Sequence, residues 1–136
     1  MKINGSCHCG AIQYDATVDP EHAGICHCTD CQTLSGAPFR VSVPAKAGDF
    51  HLRRGTPQIY VKTADSGAKR AQAFCGTCGS AIYASAAANP TVLNLRVGAI
   101  EQRREIAPRR QIWCRSAMPW TQSRDGLSAL AKIERQ

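Results

Sequence analysis

AFCGTCGSAIY, residues Ala73–Tyr83, holds two cysteines in a glycine-punctuated turn flanked on both sides by short apolar stretches. Gly76 and Gly79 let such a turn curl until the sulfurs of Cys75 and Cys78 converge, as they would on a metal at about 2.3 Å. Two sulfurs build only half of a tetrahedral site. The matching half is Cys7-x-Cys9. In an extended chain residues i and i+2 project to the same face, so a Cys-x-Cys pair in a strand aims both sulfurs at one point. Cys7, Cys9, Cys75 and Cys78 together predict a Cys₄ zinc site that staples the N-terminal strand to a knuckle far along the chain. The binding energy of such a site counts as folding energy.

A second cluster lies between these halves. ICHCTDCQ, residues Ile25–Gln32, brings Cys26, Cys28 and Cys31 into six positions. With the other four cysteines committed to each other, this triad has no obvious fourth sulfur. Cys114, in RQIWCRS, is the only spare, and a lone cysteine in an apolar-leaning strand pattern reads as a small buried hydrophobe. His8 and His27 each lie between two ligands, so in an extended chain they point to the opposite face, as surface groups or as supports behind the ligands. His22 and His51 could supply a nitrogen, with no spacing that favours them. Three thiolates and one open position is the pattern of a catalytic zinc, where water or substrate takes the fourth place. Zinc on three thiolates suits a soft incoming ligand, above all a thiol, and keeps it ionised at neutral pH. The expectation is two Zn²⁺ per chain, one structural and one catalytic.

Composition supports metal over disulfides. The chain has 136 residues and eight cysteines. It lacks a membrane span, and its start lacks the apolar run of a signal peptide, which leads to the expectation of a reducing cytoplasm. There, tightly clustered cysteines point to metal or redox chemistry. The formal charge is +7, and seven thiolates carrying two Zn²⁺ would lower it. The basic residues are dispersed, as in Arg53-Arg54, Lys69-Arg70, Arg103-Arg104, Arg109-Arg110 and Arg115. No basic run is interleaved with aromatics, so the charge does not read as a nucleic-acid face. It could attract a small anionic thiol or carboxylate.

The rest of the chain reads as an all-β fold. Ala11–Val18 alternates apolar and polar residues. Phe39–Val43, Phe50–Arg53 and Gln58–Lys62 follow as strand candidates, separated by Gly48-Asp49 and Gly55-Thr56-Pro57. Arg70–Phe74 enters the Cys75–Cys78 turn and Ala81–Ala84 leaves it, with Val92–Val97 and Gln111–Cys114 beyond. Short strands with regular Gly and Pro punctuation predict a β domain over residues 1–136. A helical turn is expected near Thr29–Ser35 and a short helix near Leu127–Glu134.

GSCHCGAIQY, CHCTDCQTLSGAPF, AFCGTCGSAIY and RQIWCRSAMPW occur in the order and spacing of one family. From roughly Gly5 to Trp120 the chain resembles the glutathione-dependent formaldehyde-activating enzymes, a family that includes centromere protein V. Gly55 and Tyr60 also fit the family pattern, whereas the tail 121–136 inherits nothing and Cys114 is an extra thiol. The resemblance implies a compact zinc-bound fold of several short coiled antiparallel sheets, shared with a Rab-binding zinc protein and with methionine-R-sulfoxide reductases. It implies a structural zinc on Cys7, Cys9, Cys75 and Cys78, and a catalytic zinc on Cys26, Cys28 and Cys31. It implies a carbon–sulfur lyase that joins glutathione, as co-substrate, to formaldehyde as S-hydroxymethylglutathione. Ser35-Gly36, Phe39 and Trp120 are candidates for the pocket wall. Two other functions compete with this one. A non-enzymatic zinc module would bind protein or nucleic acid. A sulfoxide reductase would need a nucleophilic cysteine, for which Cys114 is the only candidate.

Overall fold

The computed structural model describes residues 1–132. It contains nine strands: β1 (Lys2–Ser6), β2 (Gln13–Val18), β3 (Gly24–Cys26), β4 (Arg40–Arg54), β5 (Gln58–Thr63), β6 (Lys69–Phe74), β7 (Ala81–Ala86), β8 (Val92–Arg96) and β9 (Arg110–Ile112). One short helix, α1 (Thr29–Ser35), and several 3₁₀ turns complete it. The expected all-β fold is met. Seven strands follow the order β1-β2-β4-β8-β7-β6-β5, and β3 pairs with both β4 and β9. Every pairing is antiparallel except β3 with β9.

The long strand β4 organises the molecule. Its start pairs with β3, its middle with β8, and its far half with β2. The sequence pattern predicts two strands here, broken at Gly48-Asp49. Instead the chain stays extended and the break becomes a bulge. Ala16 faces Phe50 while Val18 faces Ala45, so the intervening β4 residues loop out of register. A bulge bends and twists a strand without ending it, and this one lets β4 serve two neighbours.

The core follows the strand alternation. Ile3, Tyr14, Val43, Ile82 and Leu95 are buried, joined by Ile12 and Ile100 from the connections. Tyr14 packs on Phe50 with ring centroids 4.8 Å apart, and Phe50 packs edge-on against Tyr83 at 5.4 Å. Gly5 sits opposite Tyr14 across the β1–β2 ladder. A β-carbon on Gly5 would fall 2.0 Å from the Tyr14 ring, so only glycine leaves room for the ring. Gly55 ends β4 at φ +74°, where a β-carbon would lie 2.1 Å from the Ala11 carbonyl oxygen. That conformation and that close approach both require glycine.

The sequence-based expectation puts the N-terminal strand at Cys7–Cys9, whereas β1 ends before it at Ser6, and it contains no strand at β3. KINGS is short and carries Asn and Gly, and GIC has three residues. Their strand character comes from pairing with β2 and with β4 and β9, not from local propensity. At the other end, Leu127–Lys132 forms no helix, and Ile133–Glu134 of the expected helix lie outside the described residues.

Candidate metal centres and their pocket

Cys7 follows β1, and the chain turns through His8–Gly10 before β2. The pair therefore converges through a tight turn, not through the strand alternation expected for Cys-x-Cys. Gly10 N–H donates to the Cys7 carbonyl at 3.2 Å, and Ile12 N–H donates to Cys7 Sγ at 3.2 Å. The second knuckle has the same design. Gly79 N–H donates to the Cys75 carbonyl at 2.8 Å, and Cys75 N–H to the Ser80 carbonyl at 2.9 Å. Gly10 and Gly79 both adopt positive φ, +80° and +79°. His8 N–H donates to Ser80 Oγ at 3.0 Å, which ties one knuckle to the other.

The four sulfurs of Cys7, Cys9, Cys75 and Cys78 all lie within 4.8 Å of one another. Cys7 Sγ is 3.6 Å from Cys9 Sγ, which is 3.7 Å from Cys75 Sγ. A tetrahedron with metal–sulfur bonds of about 2.3 Å has edges of about 3.8 Å, so the donor set fits a zinc-sized ion. Cys7 and Cys75 are buried, while Cys9 and Cys78 lie toward the surface. The Ser80 hydroxyl, with backbone donors beside it, lowers the Cys78 thiol to about 5.

Cys26, Cys28 and Cys31 form the second group, with their sulfurs also within 4.8 Å of one another. Cys26 ends β3. Cys28 is the N-cap of α1, its Sγ accepting the Cys31 N–H at 3.3 Å. Cys31 stands in the first helical turn. A strand end, a cap and a helical turn thus deliver three sulfurs to one point within six residues. Among the described residues no fourth His, Cys, Asp or Glu donor joins them. His22 bonds Asp19 instead, at 2.6 Å. The hydrogen bond from Cys26 lowers the Cys31 thiol to about 5, aided by Cys28 and by the charges of Arg40 and Arg96. The same exchange pushes Cys26 up.

His8 is exposed, but His27 is 3% exposed and belongs to the interior. Its Nε2 donates to Gln111 Oε1 at 2.7 Å, and its ring meets Phe39 edge-on at 5.5 Å. Its N–H donates to the Ile112 carbonyl at 3.1 Å. Gln32 Nε2 donates to the carbonyls of His27 at 2.7 Å and Ser116 at 3.0 Å. The turn bearing the triad is therefore clamped by a segment more than eighty residues later.

That segment corrects a second expectation. The strand expected over Gln111–Cys114 stops at Ile112, because Trp113 takes φ +57° and turns the chain. A bulky residue in this region is an outlier. The Arg115 guanidinium covers the Trp113 ring at 4.9 Å. Cys114 then opens a 3₁₀ turn and is exposed, not buried.

The triad lines a cavity of about 330 Å³. Lys62 from β5, Arg70 from β6, Arg96 from β8 and Arg110 from β9 also line it, and among the described residues no carboxylate does. Lys62 is paired with Asp30 at 2.8 Å. Arg96 donates to Ser42 Oγ at 2.7 Å and Gln72 Oε1 at 2.9 Å. Burial lowers the Arg96 guanidinium to about 9, with the Arg40 charge adding to the effect. Arg70 and Arg110 make no side-chain hydrogen bond to another described residue. None of these cations stood out in the sequence. Each lies on a different strand, and only the doublets Lys69-Arg70 and Arg109-Arg110 hinted at two of them. Of the expected wall residues, Ser35 and Phe39 line a neighbouring cavity. Gly36 caps α1 in the left-handed region, and Trp120 is 65% exposed and lines neither cavity.

Fold and site together define a β protein with two cysteine clusters shaped for metal, one beside a cationic pocket. The model of the glutathione-dependent formaldehyde-activating enzyme family matches residues 2–116, and the chain belongs to that family. The fold is similar to the crystal structure of a Rhodobacter sphaeroides protein solved by structural genomics. TM-score is 0.62 and identity 21%, covering 79% of this chain and 98% of that one. No curated protein matches the chain. No helix among the described residues is long and apolar enough to cross a membrane.

Proposed function

We propose that the protein is a carbon–sulfur lyase-type enzyme that joins a small anionic thiol to an aldehyde, with glutathione and formaldehyde as the pair. The observation that carries this reading is the triad Cys26, Cys28 and Cys31 at the wall of a pocket lined by cations and, among the described residues, by no carboxylate. Cys7, Cys9, Cys75 and Cys78 hold the structural zinc, and Cys26, Cys28 and Cys31 the catalytic one. A zinc ion on the triad supplies a site that keeps an incoming thiol ionised at neutral pH.

The chain's own residues supply binding and orientation. Arg70 and Arg110 have unengaged guanidinium groups that suit the carboxylates of the thiol. Arg96, fixed by Ser42 and Gln72, adds positive potential beside the reacting sulfur. Holding the thiolate near the carbonyl carbon turns a bimolecular encounter into a positioned one. The sulfur lone pair forms the carbon–sulfur bond, the carbonyl π electrons move to oxygen, and that oxygen takes from water a proton equivalent to the one the thiol released on ionising, giving the hydroxymethyl adduct. His27 and Gln32 brace the turn that carries the triad.

The test measures exchange between glutathione plus formaldehyde and S-hydroxymethylglutathione, with and without the zinc-loaded protein. Acceleration over the spontaneous rate is expected, and its loss in Cys28→Ser together with loss of one zinc by native mass spectrometry. An unaccelerated exchange from fully loaded protein would reject the reading.

A further inference from the structure

Arg40 opens β4 opposite Cys26. It is 7% exposed, yet its guanidinium has no hydrogen-bond or ion-pair partner among the described residues, and Nε and Nη2 are fully buried. A buried cation without a partner is costly. The triad answers only part of this charge. Three thiolates holding a divalent ion would carry one net negative charge, which Arg40 would share with the largely buried Arg96, whose Nε is also unpartnered. Arg40 and Arg96 line a cavity of about 770 Å³ that no triad cysteine touches. Arg103 and His8 also line it, and among the described residues no carboxylate does. The rest of the lining is largely apolar, with Leu34, Phe39, Val41, Val97 and Ile106.

We propose that this cavity is a second ligand site, separated from the thiol pocket by Arg96, and that it takes a small organic carboxylate with an apolar body. A guanidinium fork matches a carboxylate in plane and spacing. Arg103, whose Nη1 donates to the Ile100 carbonyl at 3.1 Å, offers its remaining N–H groups to the headgroup. Arg40, with Nε and Nη2 fully buried, adds its positive charge through the Nη1 end, so that the surplus charge behind the triad is neutralised. Leu34, Phe39 and Ile106 receive the apolar body. The volume is within the range of small-molecule sites, and the mixture of an apolar wall with a few convergent polar groups is their usual composition. The site stands whether or not the triad performs thiol chemistry.

The test titrates benzoate into the full-length, metal-loaded protein and follows amide and methyl signals by NMR, with acetate and inorganic phosphate as further probes. Benzoate is expected to shift Phe39, Val97 and Ile106 saturably, to bind more tightly than acetate, and to bind equally well when glutathione is present. Arg103→Ala should weaken it about tenfold, and Arg40→Gln should abolish it. If Arg40→Gln fails to fold by circular dichroism, Arg103→Ala alone carries the test. The proposal is overturned by absence of saturable benzoate shifts at millimolar concentration, by phosphate binding in place of benzoate, by an unchanged affinity in Arg103→Ala, or by displacement of benzoate by glutathione.

Discussion

The two cysteine clusters use the same atoms in different surroundings. Cys7, Cys9, Cys75 and Cys78 supply four sulfurs from two knuckles joined through the His8–Ser80 hydrogen bond. Each knuckle is a tight turn with a glycine at positive φ, and no titratable side chain other than the cysteines and His8 lies within it. Cys26, Cys28 and Cys31 supply three sulfurs from one local turn. Their neighbours are a buried histidine, several cations and a cavity. A closed set of four donors joining distant segments makes a staple. An open set of three beside a charged pocket makes a place where a ligand can enter. Ligand number and neighbours, not ligand type, separate the two.

Metal removal at the first cluster should have the largest effect. Structural zinc sites in small domains are worth about 10 kcal/mol or more of folding energy. Cys75→Ser should therefore abolish cooperative thermal unfolding, followed by circular dichroism. Cys28→Ser should keep a cooperative transition while losing one metal. If both variants unfold alike, the division into staple and site fails.

Next in size is Gly55→Ala. It forces a β-carbon into the left-handed region and against the Ala11 carbonyl, a strain of about 3 kcal/mol. A lowered denaturant midpoint with an unchanged slope is the expected result. Because Ala11 lies in the connection after the first knuckle, the loss should be accompanied by faster metal release from the four-cysteine cluster than from the triad.

Arg70→Ala and Arg110→Ala should each raise KM for glutathione about tenfold, roughly 1.4 kcal/mol, with kcat and thermal stability little changed. A fall in kcat at constant KM would move these residues from binding to orientation of the reacting carbon.

The smallest expected effect concerns thiol reactivity after metal is removed from the triad alone, with the four-cysteine cluster still loaded. The hydrogen bond from Cys26 lowers the Cys31 thiol to about 5, and the same exchange pushes Cys26 up. The Cys31 thiolate therefore persists as pH falls from the ordinary thiol range and is lost only near pH 5. Alkylation by iodoacetamide at pH 6, mapped by mass spectrometry, should mark Cys31 several-fold faster than Cys26. Equal or reversed rates would show that the two thiols do not share a proton in this way.

Much of this was readable from local sequence. Thr29–Ser35 is helical as expected, and β5 to β8 fall close to their predicted positions. Local signals suffice where alternation runs between glycine and proline breaks, as around Gln58–Thr63. They fail for KINGS and GIC, where the neighbouring strands supply the reason to be extended. They fail again at Trp113, whose left-handed backbone ends a plausible strand and leaves Cys114 exposed.

The sequence by itself determined the grouping of the cysteines, because convergence of two or three sulfurs depends on spacing over a few residues and on glycines that permit tight turns. Tertiary structure alone decided what surrounds them. Lys62, Arg70, Arg96 and Arg110 stand on four strands that the sheet order brings around the triad, and His27 is buried because Gln111 and Phe39 close over it. Register between distant strands sets such neighbours, and no local pattern encodes which faces will meet.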